Sequence, residues 1–314
     1  MIIAIRYLNL CIFLFSVVNG RTHEKTAPKD FGLPQNTVKA TITYADFSIP
    51  RRHLSMCGYY QVYIFQNNQL VNHQQRDSAS DWKLDNTYQY EDGQLESKET
   101  LGGSNVSMEY KTYNYRTESK GYKTTWYKTH STGEVEKTIA FYNDAGELRG
   151  KSIYNTRGQR TRQIEYGRKE GYRERTYHNE QLMTDITYVN DSTGRLTNTL
   201  TIDGSGARVR RIYNYNKKGD PFEIAEFVTG QKNTGQKLIK TTHINYLYDE
   251  EIWIAKITYS NATKTPGKLT ATIRTIETSE KTYKAACQEQ IKDFFEATYQ
   301  RYLNNQKKTG SNAE

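Results

Sequence analysis

Apolar and polar residues alternate with a period of two through most of this chain, beginning at residue 37. In the first such segment, Val38, Ala40, Ile42 and Tyr44 alternate with threonine and lysine. A period of two places successive side chains on opposite faces of a β-strand. Apolar residues share a parity in later segments too, as in Val135, Ile139 and Phe141; Leu196, Leu200 and Ile202; and Val209, Tyr213 and Tyr215. Each predicted strand therefore has one apolar and one polar face, which is typical of antiparallel sheets.

Turn signals separate these segments at nearly regular intervals. Most of the predicted turns carry a glycine, and successive glycines lie roughly twelve residues apart, which fits one strand plus one turn. These glycines are Gly133, Gly146, Gly158, Gly171, Gly194, Gly206, Gly219 and Gly230. The one double interval contains His178, Asn179 and Glu180, which we predict to form a turn without glycine. The sequence thus predicts an all-β fold, an antiparallel β-meander of short repeats in a curved or twisted sheet, over residues 36–278.

The periodicity changes after residue 278. Ser279 can cap a helix, and the apolar residues that follow it are mostly spaced by three and four. They are Tyr283, Cys287, Ile291, Phe294, Phe295 and Tyr302, with Thr298 at one step of the stripe. We therefore predict a C-terminal amphipathic helix over residues 279–305 that covers apolar sheet surface. Residues 306–314 are predicted to form a disordered tail.

Residues 1–20 have the pattern of a signal peptide. Arg6 precedes an apolar run from Leu8 to Val18, and small side chains end the segment at Gly20. The run is shorter than the roughly 20 residues that a membrane span needs. The pattern favours export with cleavage, and an uncleaved anchor is the alternative. We expect a secreted or periplasmic protein, or one on the outer surface, with a flexible lead-in over residues 21–35.

Two cysteines remain after such a cleavage, Cys57 and Cys287. An even number in an oxidising compartment permits one disulfide, which would tie the C-terminal helix to the N-terminal strands. Two separate buried thiols are the alternative.

The composition adds aromatic and basic character. Only 35% of residues are hydrophobic, yet 26 are tyrosines, and the formal net charge is +9. The tyrosines argue against a disordered chain. The basic excess favours an anionic glycan or another polyanion as a partner, while a solvated surface is the alternative. A protein partner is equally compatible with the composition.

Basic and aromatic residues interleave most densely between residues 154 and 177. On one sheet face such a set stacks sugar rings or bases and neutralises anions. The candidate binding face comprises Tyr154, Arg160, Arg162, Tyr166, Arg173, Arg175 and Tyr177. Glu165, Glu170 and Glu174 lie among them, so cross-strand ion pairs could instead neutralise much of the charge.

The sequence contains no G-x-S-x-G, H-E-x-x-H or P-loop motif and no two histidines at metal-ligand spacing, so we predict no catalytic, cofactor or metal site. His53 and Cys57 lie four residues apart without a second pair of ligands. Carboxylates that could pair across strands for glycoside hydrolysis are Asp185, Asp191, Asp203 and Glu223.

The turn sequences resemble the tyrosine-aspartate (YD) repeats of the Rhs family and similar β-hairpin repeats in secreted proteins of Bacteroidetes-like bacteria. The segments 142–148, 154–158, 191–196 and 213–219 carry the resemblance, which extends over about residues 88–250. Asn mostly replaces the Asp that follows Tyr in the family. The resemblance implies a repeat architecture alone, and it implies no activity and no functional residues.

These observations together favour an exported, non-catalytic β-repeat protein that acts as a scaffold or binding module on the cell surface or in the periplasm. Two alternatives remain open. One is an enzyme acting on glycans through cross-strand carboxylates, and the other is an accessory partner of a secreted toxin.

Overall fold

The computed structural model describes residues 26–48, 53–77, 82–102, 107–119, 122–129, 135–145, 147–167, 171–229, 235–262, 269–285 and 288–310. The signal peptide predicted over residues 1–20 lies outside the described residues, as do the first five residues of the predicted lead-in and residues 311–314 of the predicted tail.

Among the described residues, nineteen strands make up one sheet. Their bounds are β1 Thr37–Ser48, β2 His53–Gln66, β3 Gln69–Asp77, β4 Trp82–Glu91, β5 Gln94–Leu101, β6 Ser107–Ser119, β7 Tyr122–Thr129, β8 Val135–Tyr142, β9 Leu148–Tyr154, β10 Arg160–Tyr166, β11 Gly171–His178, β12 Gln181–Asn190, β13 Leu196–Asp203, β14 Arg208–Tyr215, β15 Pro221–Thr229, β16 Gln236–Asp249, β17 Ile252–Ala262, β18 Leu269–Thr278 and β19 Thr282–Tyr283. A 3₁₀-helix, Pro28–Phe31, precedes the strands, and one α-helix, α1 Gln288–Gly310, follows them.

The sheet is an antiparallel meander. From β2 to β18 each strand pairs with the next one in the chain. β1 lies between β2 and β18, and β19 pairs with the end of β18. The predicted all-β antiparallel meander with a C-terminal helix is confirmed.

The sheet has two chemically distinct faces, because directly opposed residues of paired strands point to the same side. One side carries a series of tyrosines, and we call it the tyrosine face. Its tyrosines include Tyr63, Tyr88, Tyr172, Tyr188, Tyr213 and Tyr246. The other side includes Ala45, Ile257 and Ala271, which lie in one apolar cluster with residues of α1. We call this side the helix face.

Five turns share one hydrogen-bonding pattern. Each begins with Asn or Asp, whose side-chain oxygen accepts a hydrogen bond from the backbone N–H four residues later. The leading residues are Asn143, Asn155, Asp191, Asp203 and Asn216. The fourth residue of four of these turns is a predicted turn glycine at positive φ, namely Gly158, Gly194, Gly206 and Gly219. The predicted turn without glycine is also confirmed, since Asn179 and Glu180 both have positive φ.

Replacing Asn155 by alanine is expected to lower the free energy of unfolding by about 1 kcal/mol. The Asn155 side-chain oxygen accepts hydrogen bonds from the N–H groups of Arg157 and Gln159, both at 3.0 Å. Asn155→Asp keeps this acceptor and is the matched control, because aspartate fills the same position at Asp191. Chemical denaturation of the three proteins measures the difference. Equal midpoints for the alanine and aspartate variants would count against a stabilising role of the turn.

The N-terminal segment before β1 is packed against the sheet. Phe31 contacts the rings of Tyr63 and Phe65, with centroids 4.8 and 5.8 Å apart, and Leu33 is buried. Arg274 of β18 also donates a hydrogen bond to the Gly32 carbonyl oxygen at 3.1 Å. Residues 26–35 are the described part of the predicted lead-in, and their few apolar residues contact the sheet.

Helix α1 covers the helix face at β17, β18 and β1. Phe295, Tyr299 and Tyr302 are buried in one cluster with sheet residues, and Thr298 of the predicted stripe is also buried. The helix begins at Gln288 instead of Ser279, because Thr282 and Tyr283 form β19 against β18. Within the part of the chain that the structure describes, no helix combines the length and apolarity needed to cross a bilayer.

The proposed disulfide stays a prediction. For Cys57 the structure describes the backbone, which lies in β2, but not the side chain. Cys287 lies outside the described residues. No disulfide is seen among the described side chains.

Candidate binding surface on the helix face

The seven residues of the predicted binding face divide between the two faces of the sheet. Arg162 and Tyr166 lie on the tyrosine face, since they oppose Thr176 and Tyr172 in β11. The remaining five share the helix face: Tyr154, Arg160, Arg173, Arg175 and Tyr177. Sequence proximity grouped all seven, whereas the pairing register separates them.

On the helix face, Asp185 holds two arginines. Arg173 binds both of its carboxylate oxygens, with Nε 2.7 Å from Oδ1, and Arg175 Nε lies 3.4 Å from Oδ2. Arg175 Nη1 also donates to Glu165 at 3.1 Å. A hydrogen bond from Arg173 is the main cause that lowers the pKa of Asp185. Burial opposes this effect, and the charge of Arg173 adds to the lowering. The same hydrogen bond raises the pKa of Arg173. The network fixes both guanidinium groups in place.

Arg160 and Tyr177 form the aromatic part of this surface. The Arg160 guanidinium carbon lies 4.4 Å from the centre of the Tyr177 ring. The Tyr177 hydroxyl donates to Gln163 Oε1 at 3.2 Å, which orients the ring. Leu182 opposes Tyr177 across the β11–β12 pair and is 45% exposed. We call Arg160, Tyr177 and Leu182, with the Arg173–Asp185–Arg175 network beside them, the arginine–tyrosine patch.

The sequence alone did not indicate that Leu182 belongs to this patch or that Gln163 orients Tyr177. It suggested Asp185 only as a candidate carboxylate for glycoside hydrolysis. Parity within each strand was the available signal, because Gln163 and Glu165 share a face with the arginines opposite them. Alternation within a strand shows which of its residues share a face, but it does not show which residues of the next strand lie opposite them. Grouping the patch residues therefore requires the pairing register.

Arg162 and Tyr166 belong to a separate cluster on the tyrosine face. Arg162 Nε lies 2.6 Å from Glu174 Oε1, and Glu174 is buried. The Tyr172 ring stacks on Tyr188 with centroids 4.0 Å apart. Burial raises the pKa of Tyr172 above its usual value, and burial also raises the pKa of Tyr188 to about 12. The charge of Arg162 in this cluster is thus paired with Glu174.

The four carboxylates considered for glycoside hydrolysis have separate partners. Asp191 and Asp203 each accept two backbone N–H groups in their own turns, and hydrogen bonds within those turns lower both pKa values. Glu223 accepts from Asn214 at 2.9 Å and faces His243, while Asp185 binds Arg173 and Arg175. Among the described residues, no group of three His, Cys, Asp or Glu side chains is arranged to hold a metal ion.

The fold and this surface define the class as an antiparallel β-meander protein with a C-terminal helix. No family model and no curated protein sequence matches the chain. No family match therefore supports the resemblance to YD repeats of the Rhs family. The structure supports the antiparallel all-β meander.

The chain is also similar to a solved structure, a porin-like protein from Bacteroides uniformis ATCC 8492. The identity is 10%, the match covers 77% of this chain and 98% of that chain, and the TM-score is 0.39. A likeness of this size carries no conclusion about function or location.

Proposed function

We propose that this chain is an exported, non-catalytic β-repeat protein that acts as a scaffold or binding module on the cell surface or in the periplasm and binds an anionic glycan through the arginine–tyrosine patch. The signal-peptide pattern of residues 1–20 supports export. The separate bonding of the four candidate carboxylates favours a binding role over hydrolysis.

The observation that carries the proposal is the Arg160–Tyr177 stack. The hydrogen bond to Gln163 orients the Tyr177 ring, and the ring supports the Arg160 guanidinium, so little side-chain entropy is lost when a ligand binds. Aromatic rings stack on sugar faces, and a guanidinium forms two parallel hydrogen bonds with a carboxylate. This combination suits a glycan that contains uronic acids.

The charge balance of the patch sets the expected strength of binding. Arg160, Arg173 and Arg175 face Glu165 and Asp185, so two carboxylates offset most of the positive charge. Arg160 is therefore the cation best placed to meet an acidic sugar. Affinity should depend on salt, but less steeply than for a surface of unpaired cations.

Arg160→Gln is expected to weaken binding to alginate, a polyuronate, by about 5-fold to 10-fold, because it removes a cation and a cation–π contact worth about 1 kcal/mol. Binding isotherms at about 0.05 M and about 0.3 M NaCl measure the effect, with a neutral glucan as the comparison ligand. The neutral glucan should bind more weakly than alginate at the lower salt concentration.

Arg195→Gln is the matched control. Arg195 also stacks on a tyrosine, with its guanidinium carbon 5.2 Å from the Tyr215 ring centre, but it lies in the turn between β12 and β13. This substitution removes the same charge away from the patch and should leave alginate affinity unchanged. Equal losses in the two variants, or alginate binding that ignores salt, would contradict the proposal.

A further inference from the structure

A second surface of the helix face lies on β13 to β16. Leu200, Arg210, Phe227 and Leu238 oppose one another in turn across these four strands, so their side chains form one row on one side of the sheet. Arg208 precedes Arg210 by two residues and therefore points to the same side. We call these five residues the arginine–leucine row.

Arg208 and Arg210 differ from the neighbouring arginines in having no carboxylate opposite them. Arg210 lies between Leu200 and Phe227, and Arg208 opposes Ile202 and Thr229. No described residue forms an ion pair or side-chain hydrogen bond with either guanidinium. In contrast, Arg211 on the tyrosine face pairs with Glu226 at 2.6 Å. The described residues supply carboxylates for Arg173, Arg175 and Arg211, but none for these two.

The apolar members of the row are partly open to solvent. Leu238 is 49% exposed, while Leu200 and Phe227 are half-buried. Helix α1 packs on β1, β17 and β18, and its Arg301 donates to Asn245 near the C-terminal end of β16, so none of its described contacts involves this row. Isolated exposed leucines are normal on protein surfaces, but a continuous row that mixes leucine, phenylalanine and arginine has the composition of a protein interface.

We propose that the arginine–leucine row is a docking surface for a partner protein that presents an extended acidic segment. Charge complementarity selects the partner, because two guanidinium groups without a carboxylate of their own favour carboxylates on the incoming chain. Residues two apart on a strand lie about 7 Å apart. Carboxylates at alternate positions of an extended partner segment have the same spacing and point to one side of it, and apolar residues at further alternate positions on that side meet Leu200, Phe227 and Leu238.

This surface is distinct from the arginine–tyrosine patch, and its test is independent of the proposed function. The probe is a short fluorescein-labelled peptide with glutamates and flanking leucines at alternate positions and threonine between them, so that glutamates and leucines share one side of the extended chain. It is compared with a peptide in which lysine replaces glutamate. Fluorescence anisotropy of the full chain should show binding of the glutamate peptide alone. The double variant Arg208→Gln/Arg210→Gln should bind it about tenfold more weakly.

The matched control is the double variant Arg157→Gln/Arg195→Gln, which removes two charges from turns and should keep the affinity for the peptide. Leu238→Gln changes one exposed apolar residue of the arginine–leucine row and should also weaken peptide binding. Circular dichroism verifies that each variant is folded. Arg160→Gln should leave peptide binding unchanged, which separates this proposal from the glycan proposal.

Several outcomes would overturn the docking surface. They are failure of the chain to bind the glutamate peptide, equal binding of the lysine peptide, and equal losses in the two double variants. Phosphatidylglycerol vesicles that bind through Arg208 and Arg210 more tightly than the peptide would assign the row to a lipid surface instead.

Discussion

Replacing Arg274 by methionine is expected to lower the free energy of unfolding by about 3 kcal/mol, because it removes the hydrogen bonds that this buried cation donates to two carbonyl oxygens. Arg274 is 1% exposed. Its Nη2 and Nε donate to the Trp253 carbonyl at 2.6 and 3.1 Å, and its Nη1 donates to the Gly32 carbonyl at 3.1 Å. The guanidinium also stacks on the Trp253 ring, 3.2 Å from its centre.

The surroundings of Arg274 explain why the loss should be large. Burial lowers the pKa of Arg274 to about 9, and burial, aided by the charge of Arg274, lowers the pKa of Lys256 to about 8. A buried cation persists here because backbone carbonyls and an indole ring replace its water shell. Methionine fills a similar volume but supplies no donor, so the hydrogen bonds to the Trp253 and Gly32 carbonyl oxygens are lost.

Urea denaturation followed by far-ultraviolet circular dichroism measures the Arg274→Met effect. Arg211→Met is the matched control, because Arg211 lies on the same face in a partly exposed pair with Glu226, and its loss should cost less than about 1 kcal/mol. Amide hydrogen exchange in residues 28–33 should increase only in the Arg274 variant. Equal stability of the two variants would show that Arg274 does not anchor the N-terminal segment.

Replacing Gly171 by alanine is expected to destabilise the protein by about 3 kcal/mol or more, through loss of pairing at the start of β11. Gly171 has φ +133°, a conformation that residues with a Cβ rarely adopt. An added Cβ would lie 1.8 Å from the Tyr188 carbonyl oxygen of β12. That contact is with backbone, so the two strands must separate, which would disturb the Tyr172–Tyr188 stack.

Gly158→Ala distinguishes close approach from backbone strain. Gly158 has φ +75° in a turn, and an added Cβ there meets nothing within 4 Å. This variant should show only the cost of left-handed backbone, about 1 to 2 kcal/mol. Chemical denaturation of both variants, with circular dichroism as the signal, measures the difference. A smaller loss for Gly171→Ala than for Gly158→Ala would contradict the close approach between β11 and β12.

The glycines illustrate how far a sequence signal extends. Gly158 and Gly194 were predicted as turn residues, and both have positive φ in turns of the same pattern. Gly171 carried the same signal, yet it is the first residue of β11 and is required by contact with β12. The spacing of glycines does not distinguish a turn from a close approach, because the latter depends on a neighbouring strand.

The candidate site shows the same limit. Tyrosine and arginine density drew attention to residues 154–177, and the structure places five of the seven predicted residues together on the helix face. The arginine–leucine row gave no comparable signal, because Leu200, Arg210, Phe227 and Leu238 lie on four different strands. Only the register brings them into one line.

Local sequence by itself determined the elements of this protein: the period of two produced strands, the Asn- and Asp-led segments produced turns, and the change to a helical period produced α1. These features depend on residues within about a dozen positions of one another, so local chemistry specifies them. The tertiary structure alone decided that β1 lies between β2 and β18, that Arg274 reaches Gly32, and which side chains share a face. Those contacts join distant parts of the chain, and their free energy comes from packing and burial that no local pattern encodes.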